Sequence, residues 1–391
     1  MERIRTYFRS FSQPAEARHI DVLDGFRAIF VFLVGWYHVW QQGWLSPVLH
    51  IGSRHISLDF LLRSGYIWVD GLMLLSGFLL FLPYCTEKKT PSALQFYKRR
   101  LVRILPSYLL CVLFFFGLAL AENRYITAGD AVKDLAAHLT FTHTLFPFSY
   151  QATPLNGVLW TLGVEMQFYL LFPLLGWCFR KKPVLTYAAM AAIAFGYRQL
   201  IAPMADNSMY INQLPAFLDV YANGFLAASI FTRMQKQMGK EGADRKTRLF
   251  FTVVFVLCVC LIVSILKTQA GQNGYENIRL GQLQQRFPFS VLLACAMISA
   301  AFSLPVLRFL LGNKGMAFFS AISLQFYMWH QWLAVRIKEW DFIPHQAQNP
   351  WMAGEYSWQL KYTLISLGLA VVLASLITYL FEKPIARRLR K

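Results

Sequence analysis

Charged residues are scarce in this chain of 391 residues, at 15% of the total, and acidic residues are the scarcest, with 20 Asp and Glu against 38 Lys and Arg. Hydrophobic residues make up 56% of the sequence, and its mean hydropathy is +0.41. A soluble domain carries roughly 25% charged residues. The composition therefore excludes a soluble globule and predicts an integral membrane protein with several spans.

The sequence also lacks the spacing patterns of several common sites. Its six cysteines show neither paired zinc-ligand spacing nor a disulfide framework, so we expect no metal site. There is no glycine-rich phosphate loop. The net charge of +18 does not indicate a nucleic-acid partner, because the basic residues form short clusters between apolar runs.

Ten apolar runs bounded by Pro, Gly or charge organise the chain. They fall at 20–42, 66–85, 101–121, 155–178, 183–202, 211–231, 249–267, 287–304, 316–336 and 361–381. We expect an all-α, polytopic bundle of about ten transmembrane helices in a single domain over 1–391. Most Lys and Arg lie at alternate ends of the runs, which predicts both termini in the cytoplasm, with basic segments at 1–19 and 382–391.

The first run carries ionisable residues at membrane depth, namely Arg27 and His38. Eleven residues separate them, so both lie on one helix face about 16 Å apart along the axis. Such residues inside a span are functional candidates. The alternative is that Arg27 extends to the headgroups and His38 anchors the far interface.

Asp70 lies in the second run, followed by Ser76 and Gly77. Counting residues from the predicted span ends puts Asp70 at the depth of His38. We expect the carboxylate to orient the imidazole and make it more basic, as in hydrolase triads. For Ser76 and Gly77, the alternative to a role in the site is close helix packing.

Arg99, Arg100 and Arg103 precede Pro106 at the start of the third run. Guanidinium groups bind phosphate oxygens in pairs, and the N-terminal end of a helix adds partial positive charge. The cluster therefore indicates an anion clamp for a phosphorylated cytoplasmic donor such as coenzyme A. The alternative is ordinary positive charge on the cytoplasmic side.

Two further candidates lie in the fourth and ninth runs. Glu165, with Trp160 and Tyr169 nearby, suits proton handling or hydrogen bonding to a sugar hydroxyl, or else pairs with an arginine. His330, in the ninth run, has the same two interpretations, a functional one and a structural one. The other six histidines, which we expect to be solvated, are His19, His50, His55, His138, His143 and His345.

Taken together, these motifs resemble the membrane acyltransferase-3 family. The resemblance rests on the Arg and His separated by ten residues, an SGF ending in the second span, the arginine pair before a proline, a Trp and Glu followed by an FYL run, and a late histidine. Those positions are Arg27, His38, Ser76, Gly77, Phe78, Arg100, Arg103, Pro106, Trp160, Glu165, Phe168, Tyr169 and His330. One departure is LMLL at 72–75, where the family commonly has consecutive phenylalanines.

The resemblance implies a membrane O-acyltransferase that moves an acyl group, usually acetyl, from cytoplasmic acyl-coenzyme A to a hydroxyl of a cell-surface glycan or related acceptor. The predicted location is the bacterial plasma membrane. In this interpretation His38 is the general base, Asp70 orients it, Arg27 steers the donor, and Glu165, Ser76, Trp160, Tyr169 and His330 line the acceptor side. An acyl-enzyme on Ser76, a transporter or flippase without acyl chemistry, and a scaffold or receptor are the alternatives.

Overall fold

The computed structural model describes residues 20–86, 92–238 and 242–389. The predicted basic segment 1–19 lies outside these ranges. The helices are α1 (Asp21–Gly43), α2 (Asp59–Arg63), α3 (Trp68–Thr86), α4 (Ala93–Ala121), α5 (Ala128–Leu139), α6 (Pro147–Tyr150), α7 (Trp160–Lys181), α8 (Pro183–Ile201), α9 (Leu218–Met238), α10 (Arg245–Ala270), α11 (Gly274–Arg279), α12 (Arg286–Phe302), α13 (Pro305–Gly312), α14 (Lys314–Glu339), α15 (Tyr356–Ile377) and α16 (Lys383–Leu389).

Shorter elements connect or extend these helices. The 3-10 helices are Gly65–Ile67, His143–Leu145, Gly157–Leu159, Tyr210–Asn212 and Leu214–Phe217, and the π-helical turns are Leu280–Gln285 and Thr378–Glu382. Strands β1 (Val48–Ile51) and β2 (Arg54–Ser57) form an exposed antiparallel hairpin that the sequence analysis did not predict.

Nine helical segments in the described ranges are long and apolar enough to cross a membrane. Each overlaps one of the predicted apolar runs. The remaining run, 316–336, lies within α14, which also has the length to cross but turns polar side chains such as Gln325 and His330 into the bundle. The chain is thus an all-α, multi-pass membrane protein, as predicted. The orientation of its termini stays a prediction.

Two inner helices, α3 and α9, pack closely at the centre of the bundle. A Cβ at Gly224 would lie 2.5 Å from the carbonyl oxygen of Leu74, and one at Gly77 would lie 2.8 Å from that of Tyr221. Small residues allow this approach between membrane helices. Gly77 therefore has the packing role that the sequence left open, and α3 is held firmly against α9.

Helix α1 runs parallel to α14 and antiparallel to α3, which fixes the relative depth of the site residues. Residue 65 lies against Tyr37, and the rings of Phe30 and Trp68 stack with centroids 5.7 Å apart. Asp70 therefore lies near the level of Phe30, and His38 is about 12 Å further along α1. We call the side where α4 begins, at Ala93, the entry face, and the side where it ends, at Ala121, the far face.

Candidate functional site

A cavity of about 180 Å³ lies between α1, α3, α4, α7 and α14. Six of the predicted site residues line it, although they come from four separate helices. They are Arg27, Ser76, Arg100, Arg103, Glu165 and Tyr169. Arg99 and Trp160 do not line it. Arg99 is exposed, and Trp160 packs against Phe217 with ring centroids 6.1 Å apart.

Glu165 is the hydrogen-bond acceptor at the centre of this cavity. The hydroxyl of Ser76 donates to its Oε1 at 2.9 Å, and the hydroxyl of Tyr169 donates to the same oxygen. The structure thus places a carboxylate beside Ser76. Glu165 holds both hydroxyls in place, and none of the ion pairs in the described ranges involves it.

The arginines of α4 bring positive charge to the entry end of the cavity. Arg100 lies over the rings of Phe96 and Tyr169 at 5.6 and 5.7 Å, and its Nε is buried without a hydrogen-bond partner in the described ranges. Arg103 is exposed. Neither guanidinium forms an ion pair with a described carboxylate, so both are available to an anion.

Arg27 lies deeper in the same cavity, on the α1 wall. Its Nη1 is 3.4 Å from the hydroxyl of Ser320, which itself donates to Asp24 at 2.7 Å. The serine thus connects the arginine to a carboxylate one turn earlier on α1. This arrangement fixes the guanidinium between α1 and α14 and turns it toward the cavity.

His38 and His330 form a pair just beyond the far end of the cavity. Nδ1 of His38 lies 2.8 Å from Nε2 of His330, whose Nδ1 lies 2.9 Å from the carbonyl oxygen of Phe326. A carbonyl only accepts hydrogen bonds, so His330 carries its proton on Nδ1 and, when neutral, accepts on Nε2. His38 therefore donates from Nδ1, and the lone pair on its own Nε2 is free to act as a base.

The predicted pairing of Asp70 with His38 is wrong. Both carboxylate oxygens of Asp70 accept from Nε of Arg286 at 3.2 Å, and the two side chains are buried. The cause is helix register, since Asp70 lies level with Phe30 and about two turns from His38. His330, placed on the acceptor side by the sequence, takes the position of the partner that orients His38.

Asp70 belongs to a buried charge network that the sequence analysis missed. Arg198 pairs with Asp219, and Nη1 of both Arg198 and Arg286 donates to the carbonyl of Ala216. The sequence did contain a signal for this network, because Arg198 and Asp219 lie inside predicted apolar runs, where a charged side chain has a high energetic cost. Arg286 lies one residue before the predicted run 287–304, because its helical segment begins earlier, at residue 274.

His138 and His143 were predicted to be solvated, and this is wrong. Both are buried at the far face, where their rings stack with centroids 4.3 Å apart, and Asp134 lies 3.1 Å from His138. Burial raises the pKa of Asp134, but hydrogen bonds from His138, Thr153 and Tyr125 outweigh it, so the net pKa is lowered. In the described ranges no group of three or more His, Cys, Asp or Glu residues could hold a metal ion.

We expect acid to destabilise this cluster through His143. Burial, helped by the nearby His138, lowers the pKa of His143 to about 3, whereas an unfolded histidine titrates near 6.5. Only the unfolded state takes up this proton between those values, so stability is full above pH 6.5 and falls as the pH drops toward 3. Thermal unfolding at several pH values measures the slope.

The variant His143→Gln tests the assignment, because its amide can still donate to the carbonyl of Leu159 as the ring now does. It should flatten the fall in Tm between pH 6.5 and 4. The partly exposed His345 provides the control, because a hydrogen bond to the carbonyl of Ala347 raises its pKa instead of lowering it, so His345→Gln should not flatten that fall. An unchanged slope in His143→Gln would show that other groups cause the acid sensitivity.

Comparison with known proteins gives one family and several partial relatives. O-acetyltransferase OatA of Staphylococcus aureus is 29% identical over 180 residues, which cover 43% of this chain and 26% of that protein. The putative peptidoglycan O-acetyltransferase YrhL of Bacillus subtilis is 28% identical over 171 residues, covering 40% and 24%. The regulator of hypoxia-inducible factor 1 of Caenorhabditis elegans is 25% identical over 210 residues, covering 46% and 39%.

The chain thus spans about a quarter of the length of the two bacterial relatives. No solved structure matches it. The family model described as an acyltransferase domain, Acyl_transf_3, matches residues 20–381, which is nearly all of the helical bundle. That match covers far more than half of the sequence, and the chain belongs to this acyltransferase family.

Proposed function

We propose that this protein is a membrane O-acetyltransferase that moves an acetyl group from acyl-coenzyme A to a hydroxyl of a cell-envelope glycan. The observation that carries the proposal is the cavity that extends from Arg100 and Arg103 toward the histidine pair. In this proposal the arginines form the donor entrance, and the His38 imidazole beyond the far end of the cavity is the base. Family membership and the names of the two bacterial relatives support the acyl chemistry.

The donor would enter from the face with the arginines, which we expect to be cytoplasmic. Arg100 and Arg103 bind its phosphates, while the pantetheine arm extends past Arg27 along α1. Arg27 and His38 are separated by about 16 Å, a distance that an extended arm spans. The cavity reaches Tyr327, whose ring lies 5.8 Å from that of His330, so the thioester would arrive beside the histidine pair.

The transfer step follows from the tautomers of the two histidines. Nε2 of His38 takes the proton of the acceptor hydroxyl, whose oxygen forms a bond to the thioester carbonyl carbon. The carbon–sulfur bond then breaks, and the His38 imidazolium returns the proton to the leaving thiolate. His330 accepts from Nδ1 of His38 throughout and stabilises the transient positive charge, a role that replaces the one predicted for Asp70.

One contact favours a second route, in which the acetyl group is first transferred to Ser76 to form an acyl-enzyme. The hydroxyl of Ser76 donates to Glu165 at 2.9 Å, the arrangement of a nucleophile and its base. Glu165 would take the serine proton as Ser76 attacks the thioester carbon, and it would return that proton to the leaving thiolate. In a second step Glu165 would take the proton of the acceptor hydroxyl, whose oxygen attacks the acetyl carbon, and would return it to Ser76 as the ester bond to the serine breaks. In direct transfer Ser76 and Glu165 only shape the cavity, together with Tyr169.

The acceptor in this proposal is a glycan of the bacterial cell envelope, reached from the plasma membrane. One relative carries peptidoglycan in its name, and a hydroxyl is the group that an O-acetyltransferase modifies. Transport of a glycan without acyl chemistry is the competing proposal.

Release of free coenzyme A separates the two proposals. Purified protein in detergent is given acetyl-coenzyme A with a cell-wall glycan digest, and both the free thiol and the label on the glycan are followed. An acyltransferase releases one thiol for each acetyl group transferred. A transporter leaves the thioester intact, and that result would end the enzyme proposal.

A further inference from the structure

A second cavity, of about 190 Å³, opens near the far face between α4, α14 and the segment 154–157 that precedes α7. Its polar lining includes Glu122, Arg124, Asn156, Gln331 and Arg336. None of these residues was assigned a function from the sequence.

This far-face cavity continues the line of the first one. On α14, Tyr327 lines the first cavity and Gln331 the second, four residues apart on the same helix face. On the next wall, Gly157 lines the second and Thr161 the first, again one turn apart. The two cavities therefore lie one above the other along α14 and along the segment 157–161. His330 lies on α14 between Tyr327 and Gln331 in the sequence.

The charges of the far-face cavity cancel one another. Arg336 pairs with Glu122 and with Glu339, and Arg124 pairs with Glu122 at 2.7 Å. Two arginines and two glutamates leave no net charge in the cavity. A polyanion gains nothing from such a lining, whereas a neutral ligand can hydrogen-bond to it.

The remaining lining has polar groups without hydrogen-bond partners in the described ranges, beside an aromatic wall. The side chain of Gln331 makes no hydrogen bond to any described residue, and Nε1 of Trp332 is buried without a partner there. Trp332 packs on Phe115 with ring centroids 5.9 Å apart, which gives an aromatic surface beside the free amide. Aromatic rings pack against the C–H faces of sugars, and amides bind their hydroxyls.

We propose that the far-face cavity is the acceptor subsite and binds an uncharged sugar unit of the glycan. This inference rests on the proposed function, because it assigns the acceptor half of the same reaction. Gln331 hydrogen-bonds the sugar and the Trp332 ring packs on it, so that a hydroxyl points toward Nε2 of His38. The donor would thus come from one face and the acceptor from the other, meeting at the histidine pair.

The test is direct binding of the N-acetylglucosamine trimer to the purified full chain without any donor, measured by calorimetry. Gln331→Leu keeps the volume but removes the amide, and loss of a sugar hydrogen bond should raise the Kd roughly tenfold. Gln272→Leu is the matched control, since Gln272 is exposed on the far face and lines a different cavity. The control should bind the trimer as the parent does.

A charged probe completes the experiment, because trigalacturonate has the same length but three carboxylates. It should bind more weakly than the neutral trimer. No trimer binding by the parent, equal binding by Gln331→Leu, or tighter binding of trigalacturonate would each overturn the acceptor subsite. Because donor is absent, these results do not depend on coenzyme A release, which tests the proposed function separately.

Discussion

Replacing His38 with Ala lowers acetyl transfer by roughly 10²- to 10⁴-fold, the usual contribution of a general base. The variant still binds acetyl-coenzyme A with unchanged affinity, because the arginines that hold the phosphates lie near the other end of the cavity. Its fold also persists, since the imidazole is only partly buried and its partner His330 keeps a second hydrogen bond to Phe326. Steady-state transfer and equilibrium donor binding on the same preparation measure both effects.

His330→Gln is the companion variant. A glutamine oxygen can still accept from Nδ1 of His38, so activity should fall less than in His330→Ala, and the acid limb of the pH profile should move. A merely structural His330 would lower stability and leave the pH profile of the remaining activity in place.

Ser76→Ala separates the two chemical routes. Direct transfer by His38 leaves this variant active and changes mainly the KM for the donor. An acyl-enzyme route abolishes transfer and removes any acetyl label retained on the protein. Loss of activity in Ser76→Ala together with full activity in His38→Ala would contradict the role proposed for His38.

Replacing Asp70 with Ala has the largest expected effect on stability, about 3–5 kcal/mol. The change leaves the Arg286 guanidinium buried without its carboxylate, in a position that excludes water. The two residues are 1% and 0% exposed, so neither charge can reach solvent. Thermal unfolding in detergent should show a marked loss of Tm, or the variant should fail to accumulate as a monodisperse protein.

Two controls distinguish this buried pair from an ordinary ion pair. The double variant Asp70→Asn, Arg286→Gln removes both charges and should be more stable than Asp70→Ala. Asp59→Ala breaks the partly exposed pair with Arg63, whose atoms are 2.6 Å apart, and should cost at most about 1 kcal/mol. If Asp70→Ala is as stable as Asp59→Ala, the buried pair does not make the contribution to stability assigned to it here.

The sequence predicted the helical bundle well because apolar runs long enough to cross a bilayer are a strong signal. It also predicted that Arg27, Ser76, Arg100, Arg103, Glu165 and Tyr169 are important, and the structure gathers all six around one cavity. The feature that singled out most of these residues was a polar or charged side chain in or beside an apolar run.

The sequence could not predict the register between helices, that is, which side chains on neighbouring helices lie at the same depth. A difference of a few residues in where a helix begins moves a side chain by a full turn, and this separated Asp70 from His38. The partner that replaced it, His330, comes from a helix distant in the chain but parallel to α1. Likewise, Arg286 fell one residue before its predicted run because the polar first part of its helical segment hid the helix start.

The most direct test of the whole account is acetyl-coenzyme A binding to the purified protein, titrated at rising salt. The parent should bind in a salt-sensitive manner, and Arg100→Ala and Arg103→Ala should each weaken binding by roughly 10- to 100-fold, as expected for a charged hydrogen bond. Arg99→Ala is the matched control, because that arginine is exposed beside the cavity without lining it, and it should bind as the parent does. Absence of binding by the parent, or equal weakening in all three variants, would contradict the proposed donor site.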